Sequence, residues 1–158
     1  MFKNLSLALI LLVLLGMSAE AQTRRGKTAV KPPLKAAVLS AGAVKTASGL
    51  TYLITQKGTG TVVPKMGQTV VVHYTGMLTN GVKFDSSRDR NEPISFAIGT
   101  GRVIKGWDEG IGKLRAGDQA ILVIPSDLAY GKRGAGNGLI PADATLIFIV
   151  ELVEIKDQ

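Results

Sequence analysis

The chain has 158 residues, 46% apolar and 20% charged, enough for one compact domain with its own core and a further segment at one end. It has no cysteine, which excludes disulfides and thiolate metal sites, and one histidine, His73, so a zinc site would rest almost wholly on carboxylates. The formal charge of +7 sits at the front: up to Ala47 seven basic residues face Glu20 alone, whereas from Ser48 onward 12 basic residues meet 11 acidic ones. A nearly neutral folded part offers phosphates no basic groove, and no nucleic-acid partner is expected.

Residues 1–21 read as a secretory leader. Lys3 and the amino terminus precede an apolar run from Leu5 to Leu15, and Ala19-Glu20-Ala21 places small residues where signal peptidase reads them. The expected cut lies between Ala21 and Gln22. The run falls short of the roughly 20 residues a spanning helix needs, so no stable membrane insertion is expected after cleavage. No cysteine follows it to carry a lipid anchor. The expected location is a periplasm or the extracellular space. Residues 22–47 are rich in Ala, Lys, Arg, Thr and Ser, carry Pro32-Pro33, and show no sustained period. Such a stretch cannot bury enough surface to offset its ordering entropy and reads as a flexible basic linker. Attraction to anionic surfaces is one role for its charge, a solvated spacer the favoured one.

From Ser48 the pattern changes, and 48–158 reads as the folded domain. Leu50–Gln56 reads as a strand. Gln68–Leu78 alternates, with Val70, Val72 and Tyr74 on one face and Val71, His73 and Thr75 on the other. Asn80-Gly81 is a reversal signal that returns Val82–Phe84 as a partner strand. Ile94, Phe96 and Ile98 alternate again. Val103–Leu114 is expected as a helix, with Ile104, Trp107, Ile111 and Leu114 in one apolar stripe. Its Gly106, Gly110 and Gly112 each cost about 1 kcal/mol in a helix interior, which is tolerable where the backbone must lie close against a sheet. Ala120, Leu122 and Ile124 form a strand stopped by Pro125, and Thr145–Ile155 forms the last and longest. The class is α+β: an antiparallel half-barrel sheet wrapped around one short helix.

Phosphate-binding glycine motifs and a GxSxG elbow are absent, and His73 sits in mid-strand opposite Tyr74, a structural position. What remains is a distinctive series of blocks: Val71-Val-His-Tyr-Thr-Gly-Met-Leu78, Phe84-Asp-Ser-Ser-Arg88, Val103-Ile-Lys-Gly-Trp-Asp-Glu-Gly110, Ile124-Pro-Ser-Asp-Leu-Ala-Tyr-Gly131 and Ile140-Pro-Ala-Asp-Ala-Thr-Leu146. In this order and spacing, from about Ser48 to Ile155, the chain resembles the macrolide-binding FKBP family of peptidyl-prolyl cis–trans isomerases, in an exported bacterial form.

The resemblance implies an apolar pocket between sheet and helix. Trp107 would form its floor and Tyr74, Phe84, Phe96 and Phe148 its walls. Val103 and Ile104 would stand at its mouth, with the Ile104 amide as donor to a bound carbonyl. Asp85 would lie at the rim, Tyr130 would present its hydroxyl, and Ile140 would close the far side. Ile94 stands where many relatives carry a further phenylalanine and Leu128 where some carry tyrosine. Both keep the pocket apolar but bear on affinity for bulky macrolides. Six of the seven aromatics after the leader fall at these positions. For Phe96 and Phe148 a place in the core would explain them equally well; Trp107 between glycines and Tyr130 in a polar loop are harder to explain that way. Asp85 has a structural alternative, capping the turn after Asn-Gly. The glycine-rich loop 132–138 is expected to move.

The expected activity is acceleration of X-Pro isomerisation in the folding of exported proteins. It would need no cofactor and no metal, and its partners would be proline-containing unfolded or partly folded polypeptides, with macrolide inhibitors as further ligands. The alternative is a module or chaperone that only docks proline-containing segments. The sequence leaves no room for the helical dimerisation arm that some exported relatives place before this domain, so a monomer is expected.

Overall fold

The computed structural model describes Val38 and residues 41–156. The leader expected at 1–21 and most of the linker 22–47 lie outside the described residues. Seven strands form one antiparallel sheet: β1 (Val44–Lys45), β2 (Thr51–Gln56), β3 (Thr69–Leu78), β4 (Lys83–Ser86), β5 (Ile94–Ala97), β6 (Gln119–Ile124) and β7 (Leu146–Lys156). Their order is β1-β2-β6-β7-β3-β4, and β5 pairs with the first half of β3. One short helix, α1 (Lys105–Ile111), lies between β5 and β6 in the chain.

The alternation in β3 works as read. Val70, Val72 and Tyr74 are buried in the main core, together with Leu122 and Ile124 of β6 and Phe148, Val150 and Leu152 of β7. β7 is flanked on both sides, by β6 and by β3, and pairs Phe148 with both Leu122 and Gly76. The Asn-Gly reversal also forms: Gly81 takes φ +88°, and the Leu78 amide donates to the Val82 carbonyl at 2.9 Å.

The helix glycines explain themselves. A Cβ on Gly106 would stand 2.4 Å from Ile124 Cγ2, and one on Gly110 would stand 2.8 Å from Leu122 Cδ1. The α1 backbone therefore rests directly on β6. Any side chain at these two positions would lift the helix off the sheet.

Two expectations change. The helix spans seven residues rather than Val103–Leu114. Ile104 caps it with an extended ψ of 147°, and Gly112 ends it. Ile111 and Leu114 are still buried, so the apolar stripe continues through the turn that follows. The sheet also begins before Ser48, because Val44 and Lys45 pair with Tyr52 and Thr51. Val38 is buried against Val123 and Ile147, with Ala43 beside it, on a second cluster separate from the main core. Two residues cannot display a period, so composition assigned this stretch to the linker. The loop 132–138 carries the 3-10 turns Gly131–Arg133 and Gly136–Gly138 and is closed by paired backbone hydrogen bonds between Ala135 and Ile140, each 3.0 Å. Among the described residues no helix is long and apolar enough to cross a membrane.

Candidate active site

A cavity of about 430 Å³ opens between α1 and the concave face of the sheet. Trp107, in the first turn of α1, lines it and is almost wholly buried. The edge-to-face neighbours of the indole are Tyr74, at 5.0 Å between centroids and 79°, and Phe148, at 5.2 Å and 83°. Phe84 of β4 meets Phe148 the same way, at 5.6 Å and 83°. Edge-to-face pairs at these distances contribute roughly 0.5–1.5 kcal/mol each beyond burial, so the rings hold one another in place. The indole N–H is buried and has no acceptor among the described residues.

Gly76 makes this box possible. It pairs with Phe148 on one side and with Asp85 on the other. A Cβ there would lie 2.6 Å from Phe84 Cε2 and 2.7 Å from Phe148 Cε1. The two rings close over a backbone that has no side chain.

The rim is polar and organised around Asp85. Ser86 and Ser87 tie this stretch to Tyr74: the Tyr74 amide donates to Ser87 Oγ at 2.8 Å, and the Ser86 hydroxyl donates to the Tyr74 carbonyl at 3.1 Å. The Tyr74 hydroxyl in turn donates to Asp85 Oδ2. Arg90 Nη1 donates to Asp85 Oδ1 at 2.6 Å, and its Nη2 to the Tyr74 hydroxyl at 3.1 Å. Asp85 is therefore not a turn cap; that part is played by Asn80, whose Oδ1 accepts from the Val82 amide at 3.0 Å.

These contacts set the charges. Burial raises the Asp85 pKa, but the hydrogen bonds from Tyr74 and Arg90 and the positive charge of Arg90 outweigh it and hold the carboxyl below its ordinary value of 3.8. Burial, and then the Asp85 carboxylate that accepts its proton, push the Tyr74 hydroxyl above 10.0 against the opposing effect of Arg90. The rim thus presents a neutral phenol and a carboxylate already paired with a guanidinium. A carboxylate held so acidic has no proton to give near neutral pH and is a weak base.

Around this centre stand Ile94, Val103, Ile104 and Tyr130, all lining the cavity. The Ile104 amide makes no hydrogen bond among the described residues, as the capping position of α1 leaves it free. Tyr130, at the start of the Gly131–Arg133 turn, is 40% exposed. Phe96 and Ile140 are placed differently from the expectation. Phe96 is buried behind Trp107, 5.8 Å away and tilted at 45°, and Ile140 is buried in the core; neither lines the cavity. His73 donates to or accepts from Ser87 Oγ at 3.0 Å and takes no part in the cavity. Two lining or rim residues escape a reading of the sequence: Arg90, one of three charged residues in Arg88-Asp89-Arg90, and Arg102. No group of three or more His, Asp or Glu side chains able to hold a metal occurs among the described residues.

The family model described as "FKBP-type peptidyl-prolyl cis-trans isomerase" matches residues 60–153, more than half of the chain. The chain belongs to this family. It is thus a peptidyl-prolyl cis–trans isomerase by family, as the five sequence blocks imply. FK506-binding protein 1 of Yarrowia lipolytica is 53% identical over 108 residues, 68% of this chain and 99% of that protein. The FK506-binding protein of Neisseria meningitidis is 54% identical over 102 residues, 65% of this chain and 92% of its own. Among solved structures, AtFKBP13 superposes with a TM-score of 0.67 at 40% identity, covering 72% of this chain and 98% of that one. FkpA from Escherichia coli gives 0.68 at 40% identity, covering 77% of this chain and 57% of that one. The half-barrel with a short helix packed against it is the fold of these FKBP structures.

Proposed function

We propose that this FKBP domain catalyses X-Pro isomerisation in the aromatic cavity without covalent or acid–base chemistry. One observation carries the reading: three rings, Tyr74, Trp107 and Phe148, in mutual contact beneath an accessible apolar hollow. A peptide bond resists rotation by about 18–20 kcal/mol because of its double-bond character. Before proline, cis and trans differ by only ~0.5–1 kcal/mol, so the obstacle is the barrier alone. At the twisted midpoint resonance is lost and charge separation across the amide falls. An apolar, water-poor setting favours that state over the planar dipole, which water solvates better.

In this reading the proline ring rests on Trp107, and the preceding apolar side chain lies against Phe84 and Ile94. The free Ile104 amide and the Tyr130 hydroxyl hold the chain on either side of the turning bond. Asp85, fixed by Tyr74 and Arg90, acts on the rotating carbonyl as a set charge. The test is catalysed isomerisation of short Leu-Pro and Phe-Pro peptides. The expected result is a rate well above background; none would leave only a docking module.

The substrates we propose are proline-containing unfolded or partly folded polypeptides. Macrolides are proposed as competing ligands, a property carried in the names of the FK506-binding relatives. Export to a periplasm or beyond rests on the charged, apolar and small-residue order of residues 1–21. Its check is the mass of the mature chain, expected to begin at Gln22.

A further inference from the structure

We propose that Arg102 forms an anion subsite at the mouth of the cavity, selecting X-Pro peptides with an acidic side chain close to the isomerised bond. The proposal rests on the cavity being the proline site and adds a substrate preference to it. Arg102 lines the cavity and is exposed, and among the described residues it has no carboxylate partner.

Its position is fixed from behind. The Gly99 and Gly101 amides donate to the two oxygens of Asp108, at 2.8 and 2.9 Å, which pins the loop immediately before it. The nearby carboxylate is thereby committed to backbone amides rather than to the guanidinium. The other arginine at the rim, Arg90, is taken up by Asp85 and Tyr74, so the carboxylate that lines the cavity already has its cation. Lys105, three residues after Arg102, and Lys132 and Arg133, following Tyr130, add positive charge without lining the hollow. Asp127 and Asp143 do not line it. A peptide held by the Ile104 amide runs within two residues of Arg102 in the chain, within reach of that long side chain. An exposed pair of this kind changes an affinity by about two- to fivefold and is weakened by salt.

The experiment uses the full chain and hexapeptides with a central Leu-Pro, in which Glu, Gln or Lys occupies in turn each of the two positions before Leu and after Pro. kcat/KM is measured by a protease-free assay at low and high salt. The expected order at one or more positions is Glu over Gln over Lys, with successive peptides separated about two- to fivefold and the separation collapsing at high salt. Arg102→Glu is expected to invert the Glu-to-Lys ratio at that position, while Arg133→Ala leaves its direction unchanged. A ratio that stays the same in Arg102→Glu, or equal rates for all three peptides with wild type, overturns the proposal alone. No acceleration of the Gln peptide by wild type overturns the cavity reading and the proposal together.

Discussion

Replacing Gly76 with alanine tests whether the aromatic box works as a fitted unit. The added Cβ would meet Phe84 at 2.6 Å and Phe148 at 2.7 Å, whereas ordinary contact begins near 3.4 Å. Each ring must therefore retreat by about 0.8 Å in an interior packed as densely as a crystal. Phe148 has little freedom: it is 4% exposed and held by Trp107, Tyr74 and Phe84. Phe84 is only partly buried, so it gives way and the hollow deforms. Overpacking of this kind costs about 1–3 kcal/mol. Alanine recovers about 0.5–1 kcal/mol of the entropy that glycine loses in a strand, and Gly76 has no positive φ to strain. The net destabilisation expected is roughly 1–2 kcal/mol, read as a lower urea midpoint, with a fall in Tm of several degrees. Activity per folded molecule should fall further, by more than about tenfold, because displacements near 1 Å cost up to ~10²-fold in positioning. Full activity with an unchanged midpoint would refute the claim that the two rings close over a bare backbone.

Three further outcomes follow from the same geometry. Trp107→Ala removes the floor and opens a core cavity; it should cost roughly 3–5 kcal/mol in urea denaturation and abolish peptide isomerisation. Tyr130→Phe should leave the unfolding midpoint unchanged and reduce kcat/KM by a few fold, the size of one modest hydrogen bond. The third is a pH effect. The folded Asp85 pKa lies below its ordinary 3.8, so its stabilising contribution is fully present above that value and is lost as pH falls through the folded pKa. The Tm advantage of wild type over Asp85→Asn should therefore shrink on acidification from pH 5 towards pH 2.5, and a constant or growing advantage would contradict the Tyr74–Asp85–Arg90 arrangement.

Much of this fold is legible in the residues, and the parts that are not share a cause. Period-two alternation in β3 and the Asn-Gly reversal are local signals, and each produced the element expected. The glycines flanking Trp107 were equally readable, because a helix accepts them only where its backbone must approach a neighbour. Ile94 and Phe96 show the limit. They lie on the same face of one strand, two residues apart, yet Ile94 lines the cavity and Phe96 stands behind the indole. Which of them reaches the hollow depends on where α1 crosses the sheet, and no local pattern encodes that. Arg90 is a stronger case. In Arg88-Asp89-Arg90, Arg88 pairs with Glu151, Asp89 with Lys83, and Arg90 alone turns back to Asp85. The partners lie on two strands, Lys83 and Asp85 on β4 and Glu151 on β7, so composition cannot choose among them. β1 and the short extent of α1 failed for a related reason: two paired residues carry no period, and Ile104 keeps the helical spacing while its backbone is extended.

The central place of β7 has a consequence for biogenesis. β3 and β6 are both made before β7, and each needs it as a neighbour: Thr69 pairs with Lys156, and Gln119 with Glu151. Until β7 has left the ribosome, β3 and β6 have an unfilled gap between them, and Trp107 lacks the Phe148 ring that steadies it. Closing contacts so distant along the chain is intrinsically slow and leaves strand edges open meanwhile. A nascent chain stopped short of Leu146 would be a ready client for the holding factors that guard unfinished sheets, and the isomerase would itself wait for β7.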